Sequence, residues 1–178
     1  MTWLTTLSGR HFDYSSPTID AICITDIAQG LSLECRFAGQ LHVFYSVAQH
    51  SVLVSHLVPP AYALEALLHD ATEAYCKDLP SPLKHLLPDY QRVENHIDSV
   101  IRHGFGLPAF MSSEVKRADL IALATERRDL ELDDGKDWPI LTGIVPAAMR
   151  IIPWTSYEAH HAFMDRFYEL KAGVRAEA

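Results

Sequence analysis

Cysteine is scarce in this 178-residue chain. Cys23, Cys35 and Cys76 are an odd number and form no Cys-x-x-Cys pair, so neither a disulfide framework nor a cysteine zinc knuckle is predicted, and a reducing, cytoplasmic setting fits. Long apolar runs are missing as well. No stretch approaches the roughly 18 apolar residues of a membrane span, and residues 1–10 lack a basic segment followed by an apolar one, so an unexported protein with no membrane partner is expected. Cations are outnumbered, 15 Lys and Arg against 23 Asp and Glu, for a formal net charge of −8. That balance argues against a surface that tracks nucleic-acid phosphates, so no stable nucleic-acid complex is expected, though a few converging cations can still hold a small anion. Fixed-period repeats and low-complexity stretches are absent apart from the short tail 172–178. With 48% hydrophobic residues, disorder is excluded and one domain spanning 1–178 is predicted. Histidine, by contrast, is plentiful: there are ten.

The helical period dominates after residue 25. Residues 1–25, with β-branched and aromatic residues broken by Ser15-Ser16-Pro17, predict a short hairpin or irregular arm. Asp26 is placed as the cap of a short helix through Leu33, and Ser46 to Gln49 has capping-box spacing for a helix that Pro59-Pro60 stops. Ala61 to about Cys76 contains no breaker and reads as one helix, ended by the proline-spaced turn Lys77 to Pro82. Asp89 to His103 reads as a helix closed by Gly104, and Ser112 or Ser113 caps a long helix reaching about Leu132. Thr155 to Glu158 is a second capping box, opening a last helix to about Lys171. The sum is an all-α, compact helical bundle of roughly six or more helices.

Several ionisable residues fall on apolar faces. On a continuous helix Ala66, His69, Asp70 and Glu73 share one stripe beside Leu64, Leu67, Leu68 and Ala71. The helical neighbours of His50 are Val47, Leu53 and Val54, and those of Asp119 are Val115, Ala118, Ala122 and Leu123. A buried unpaired charge costs several kcal/mol, so these groups require a cation or a polar cavity between them. His50, His69, Asp70 and Asp119 together offer two imidazoles and two carboxylates from three helices. Mixed N and O ligands without thiolate suit one divalent ion such as Mn, Co, Ni, Fe, Zn or Mg in an open, catalytic site rather than a structural zinc site.

The pattern His50…His69-Asp70…Asp119, with the longer strings Cys35-Arg36-Phe37-Ala38-Gly39, residues 44–51, 67–75, 78–84 and 118–130, resembles the HD-domain metal-dependent phosphohydrolases. It looks most like their YfdR-like branch of phages and prophages, which is related to YfbR-like 5'-deoxynucleotidases and to phage dATP triphosphohydrolases. The similarity runs from Ser8 to about Tyr168. It implies an HD-type helical fold, one divalent metal at the four residues just named, and a small-molecule nucleotide as substrate. It further implies that Glu73 orients or deprotonates the attacking water, and that Asp78 protonates the leaving oxygen or holds the site's geometry. By the same resemblance Arg36 and Lys84 grip phosphate, while Phe37 and Pro82 wall the nucleoside. A homo-oligomer, dimer or larger, is also expected.

The leading expectation is an enzyme of deoxynucleotide metabolism, releasing phosphate from a monophosphate or di- or triphosphate from a triphosphate. Rival expectations are a cyclic or oligonucleotide phosphodiesterase and a catalytically silent nucleotide-binding sensor. Glu126-Arg127-Arg128-Asp129 reads as an ion-pair network, and Trp138 and Trp154 as core or interface anchors.

Overall fold

A computed structural model describes residues 2–176. The N-terminal arm is a small antiparallel hairpin, β1 (Trp3–Thr5) against β2 (His11–Asp13), with Leu4 opposite Phe12. Phe12 turns inward and is fully buried, stacked on Tyr75 with ring centroids 4.1 Å apart. The Tyr14 hydroxyl donates to the Tyr75 carbonyl at 2.6 Å, so the arm is fastened to the bundle at two adjacent points.

Eight α-helical segments follow among the described residues, and the all-α expectation holds. Helix α1 (Ile24–Leu33) starts two residues before Asp26, with Cys23 at its cap position. Asp26 therefore does not cap it; the carboxylate lies in the first turn and accepts from the Ser8 backbone N–H at 2.8 Å and the Ser8 hydroxyl at 2.7 Å. A tight turn at Arg36–Gly39 leads to α2 (Val47–Leu57), where the Ser46 hydroxyl accepts the Gln49 N–H. The Gln49 side chain does not reciprocate. It donates to the Ile152 carbonyl and accepts from the Trp154 N–H, which ties the segment before the last helix to α2.

The expected helix from Ala61 to Cys76 is broken. A single 3-10 turn precedes α3 (Ala63–Leu67), and α4 (Glu73–Cys76) begins only after a turn across residues 68–72. In a continuous helix the Ala66 carbonyl would accept from the N–H of residue 70; here it lies 2.8 Å from His69 Nδ1. Tertiary packing overrides an unbroken helical pattern at this point.

After α5 (Ser81–Lys84), α6 (Pro88–Phe105) is closed by Gly106 in the left-handed region at φ 69°. Gly104 sits inside this helix, not at its end. An added Cβ there would meet Ile19 Cγ2 at 3.3 Å, so it serves a close contact with the turn before α1. Helix α7 (Ser113–Asp129), capped by Ser112, stops short of the expected Leu132, and α8 (Ser156–Ala176) opens on the reciprocal Thr155–Glu158 capping box.

Helix α2 is the axis of the assembly, with Val47 to Ser55 all buried. One side joins a core of Ile27, Leu31, Leu67, Ile97, Phe163 and their neighbours from α1, α3, α6 and α8. The other side packs Leu53 and Val54 against Ala66 of α3 and Val115, Ala118 and Ala122 of α7. A buried Arg102–Glu65 pair joins α6 to α3, and Glu65 also accepts the Ser112 N–H at 2.8 Å, which fixes where α7 starts. No helix is long and apolar enough to cross a membrane among the described residues.

Candidate metal centre

Where the two cores meet, the polar residues of three elements face one another. His50 comes from the middle of α2, His69 and Asp70 from the break between α3 and α4, and Asp119 from α7. His50, His69 and Asp119 each offer a ligand atom within 4.8 Å of the others, a group that could hold a metal ion. His50 Nε2 is 3.1 Å from Asp119 Oδ1, and His69 Nε2 is 3.2 Å from Asp70 Oδ2. The imidazole side chains are 0% and 2% exposed and form the floor, while those of Asp70 and Asp119, at 20% and 37%, reach toward solvent.

The outer nitrogens decide what the inner ones can do. His50 Nδ1 donates to Glu126 Oε1 at 2.6 Å, and His69 Nδ1 donates to the Ala66 carbonyl. With the Nδ1 protons committed outward, both Nε2 lone pairs point into the same space, 3.3 Å apart. Two lone pairs at that distance repel unless a proton or a metal cation lies between them. Donation of the outer ring N–H to a carboxylate or a carbonyl is the usual support for metal-binding imidazoles, so the residues fit a divalent ion.

The electrostatics point the same way. Burial and the nearby Arg36 oppose charge on His50, but Glu126 and Asp119 outweigh them and carry its pKa up to about 9. His69 is raised by Asp70 and Asp119 against its burial. Asp119 would be pushed up by burial, yet hydrogen bonds from both histidines hold it well below the usual carboxylate range.

Arg36 is enclosed between Glu126, at 3.1 Å, and Asp70, at 3.6 Å, and its guanidinium lies 5.3 Å from the centre of the Phe37 ring. Glu126 is fully buried and is shared by Arg36 and His50. This corrects the reading of residues 126–129 as one network. Arg127 turns to Asp133 and the Lys136 carbonyl, while Arg128 and Arg150 hold Asp129. Glu126 lies seven residues beyond Asp119, two turns along the same face of α7; that spacing is the signal that could have identified it.

The centre opens into a cleft of about 650 Å³ lined by Arg36, Phe37, Asp70, Glu73, Asp78, Pro82, Lys84 and Asp119, with His50 and His69 beneath it. Glu73 is 8% exposed, and its Oε2 has no hydrogen-bond partner. Burial, then Asp70 and Asp78, hold the Glu73 carboxyl well above the usual carboxylate range. Asp78 is raised chiefly by burial, and its backbone N–H donates to Glu34. Lys84 reaches the cleft but pairs with Glu94 at 2.8 Å. Trp138 is not in the core: it is half-buried and lines the cleft, whereas Trp154 packs against the main core as expected.

No protein-family model matches the chain. A relative in Rhodobacter capsulatus, an uncharacterized protein, is 38% identical over 126 residues, covering 65% of this chain and 64% of the relative. The uncharacterized protein YfdR of Escherichia coli is 58% identical over 171 residues, 96% of either chain. At that identity, sustained from end to end, the chain belongs to the YfdR family.

Proposed function

We propose that the cleft binds a nucleotide by its phosphates and hydrolyses a phosphate ester or anhydride bond, with one divalent metal ion held by His50, His69, Asp70 and Asp119. The observation that carries this reading is the convergence of the two Nε2 lone pairs and two carboxylates at the floor of a cleft that also holds an unpartnered carboxylate, Glu73, and two cations, Arg36 and Lys84. When bound, a divalent ion in such a site lowers the pKa of a coordinated water and offsets charge on phosphoryl oxygens.

The chain's own groups supply the rest. Glu73, raised by burial and by its acidic neighbours, takes the proton of the attacking water, a role worth about 10²–10⁴ in rate. Asp78, raised by burial, returns a proton to the leaving oxygen. Arg36, pinned by Glu126 and Asp70, presents its guanidinium to phosphate from a fixed position, which limits the entropy lost on binding. Lys84 adds a second charge once phosphate competes with Glu94. Arg36, Lys84 and the proposed metal ligands gather at one concavity of an otherwise acidic protein, which reconciles a net charge of −8 with an anionic substrate.

A phosphodiesterase acting through two metals has less support, since His50, His69 and Asp119 form the single ligand group found among the described residues. The test is a phosphate-release screen of deoxy- and ribonucleoside mono-, di- and triphosphates with Mn, Co, Ni, Mg and Zn. Inorganic phosphate from monophosphates is the signature of a nucleotidase, and tripolyphosphate that of a triphosphohydrolase. Full turnover in Asp70→Ala or Glu73→Gln would remove the site assignment.

A further inference from the structure

Two aromatic rings border the cleft, and each carries an arginine. Phe37 lies at the phosphate end, beside Arg36. Trp138 lines the same cleft together with Leu120, Leu123, Pro139 and Ile140, and the Arg127 guanidinium sits 5.1 Å from its ring centre. Arg127 is not part of the cleft lining. It backs the indole from behind and bonds to Asp133 and to the Lys136 carbonyl, so one side chain fixes both the ring and the loop that delivers it.

Helix α7 sets the scale of this arrangement. Asp119, Leu123 and Arg127 succeed one another at four-residue steps on one face, and eight residues span about 12 Å along a helix axis. Asp119 and Leu123 line the cleft together with Trp138, so a ligand held at Asp119 can extend along that face toward the indole. A phosphate ester carrying a sugar and a flat ring can do so; a short alkyl or bare sugar phosphate cannot. Indole backed by a cation on one side offers its remaining surface to a planar π-system, and the aliphatic wall around it offers few hydrogen-bonding groups that would distinguish one ring from another.

We propose that Trp138 is the base platform of the cleft, a specificity-determining residue that selects phosphate esters bearing an aromatic base, and that Arg127 is its positioning residue. This rests on the nucleotide reading of the site and adds to it a stacking surface distinct from the proposed metal ligands. Recognition by stacking tolerates different bases, so the platform separates nucleotides from other phosphate esters more sharply than it separates one base from another.

The experiment compares the best nucleotide of the screen with 2-deoxyribose 5-phosphate, the same ester without a base. The expected result for Trp138→Ala is about a tenfold fall in the ratio of their kcat/KM values, carried by the nucleotide's KM, with Trp138→Phe recovering most of it. Arg127→Ala is expected to raise the nucleotide's KM while moving kcat little. Independently of turnover, titrating metal-free protein with a nucleoside monophosphate is expected to quench tryptophan fluorescence, and the quench should vanish in Trp138→Phe. An unchanged ratio in Trp138→Ala, or a quench that persists in Trp138→Phe, would overturn the platform and leave the hydrolase reading standing. Failure of the wild-type protein to hydrolyse any phosphate ester, with the quench intact, would remove the hydrolase reading alone.

Discussion

Glu126 sets the state of two residues at once. Its carboxylate accepts hydrogen bonds from His50 Nδ1 and from Arg36, so it aims a proposed metal ligand and a proposed phosphate-binding cation from one fully buried point. Glu126→Gln keeps the volume and removes the charge. Metal affinity is expected to fall about 10–100-fold, measured by calorimetry; an unchanged affinity would mean that His50 is oriented by something else. Residue 126 is hard to read from sequence because Arg127, Arg128 and Asp129 follow it, and such a charge run resembles a solvated face. His50 and Asp119 are legible for the opposite reason, since their helical neighbours are apolar and a lone polar group among them has to have a purpose. The cysteines differ from one another as well. Burial pushes the Cys76 thiol up to about 12, whereas hydrogen bonding with Thr25 lowers that of Cys23 against its partial burial. The thiolate is the reactive form, so iodoacetamide between pH 7 and 9 is expected to label Cys23 and spare Cys76, as read by peptide mass spectrometry.

At the scale of elements, the break between α3 and α4 matters most. His69, Asp70 and Glu73 do not form a stripe on one continuous helix, as their spacing suggests; the first two lie in the turn and Glu73 opens the next helix. The residues were identifiable from sequence while their local structure was not, because the bond from His69 Nδ1 to the Ala66 carbonyl is a local alternative to the helical ladder that no breaker residue announces. Helix α4 is held in place by α1, where a Cβ added to Gly30 would lie 2.8 Å from the Cα, Cβ and carbonyl oxygen of Ala74. Gly30→Ala is expected to cost about 1–3 kcal/mol, seen as a fall of several degrees in the calorimetric melting temperature, and to disturb Glu73 through its neighbour. At the other end of the site, Asp129 terminates α7 and receives Arg128, Arg150 and the Ile151 N–H. The Arg128 hydrogen bond and these further donors, working against burial, hold its pKa below the ordinary value. A depressed carboxyl stabilises the fold fully above the unfolded pKa of about 3.9, and the stabilisation is lost as pH falls toward the folded value. Asp129→Asn is therefore expected to flatten the decline of melting temperature below pH 4; an unaltered slope would exclude this clasp as its source.

Across the whole molecule, the candidate metal centre joins α2, α7 and the α3–α4 break at the seam between two apolar cores. A ligand that binds only the folded state stabilises by mass action, about 2.7 kcal/mol at a hundredfold excess over Kd. Chelator-treated protein is expected to melt lower than metal-loaded protein, with a difference that grows with the logarithm of metal concentration and disappears in Asp119→Asn. Differential scanning fluorimetry measures this, and a shift that survives in Asp119→Asn would place the ion elsewhere. The helical class, the Ser46 cap and the Thr155–Glu158 capping box were readable because they depend on neighbours in sequence. Packing around α2 was not, since Val47 to Ser55 are buried on every side and show no amphipathic face from which to infer a partner.

That packing also imposes an order of assembly. Helix α8 contributes Ala159, Phe163 and Phe167 to the centre of the main core, packing on α1, α2 and α3, yet it is translated after every other element described here. All the candidate metal ligands therefore leave the ribosome before α8, which packs against α2, has been made. The nascent chain thus carries the residues of the candidate site before the last wall of the core that surrounds α2 is available.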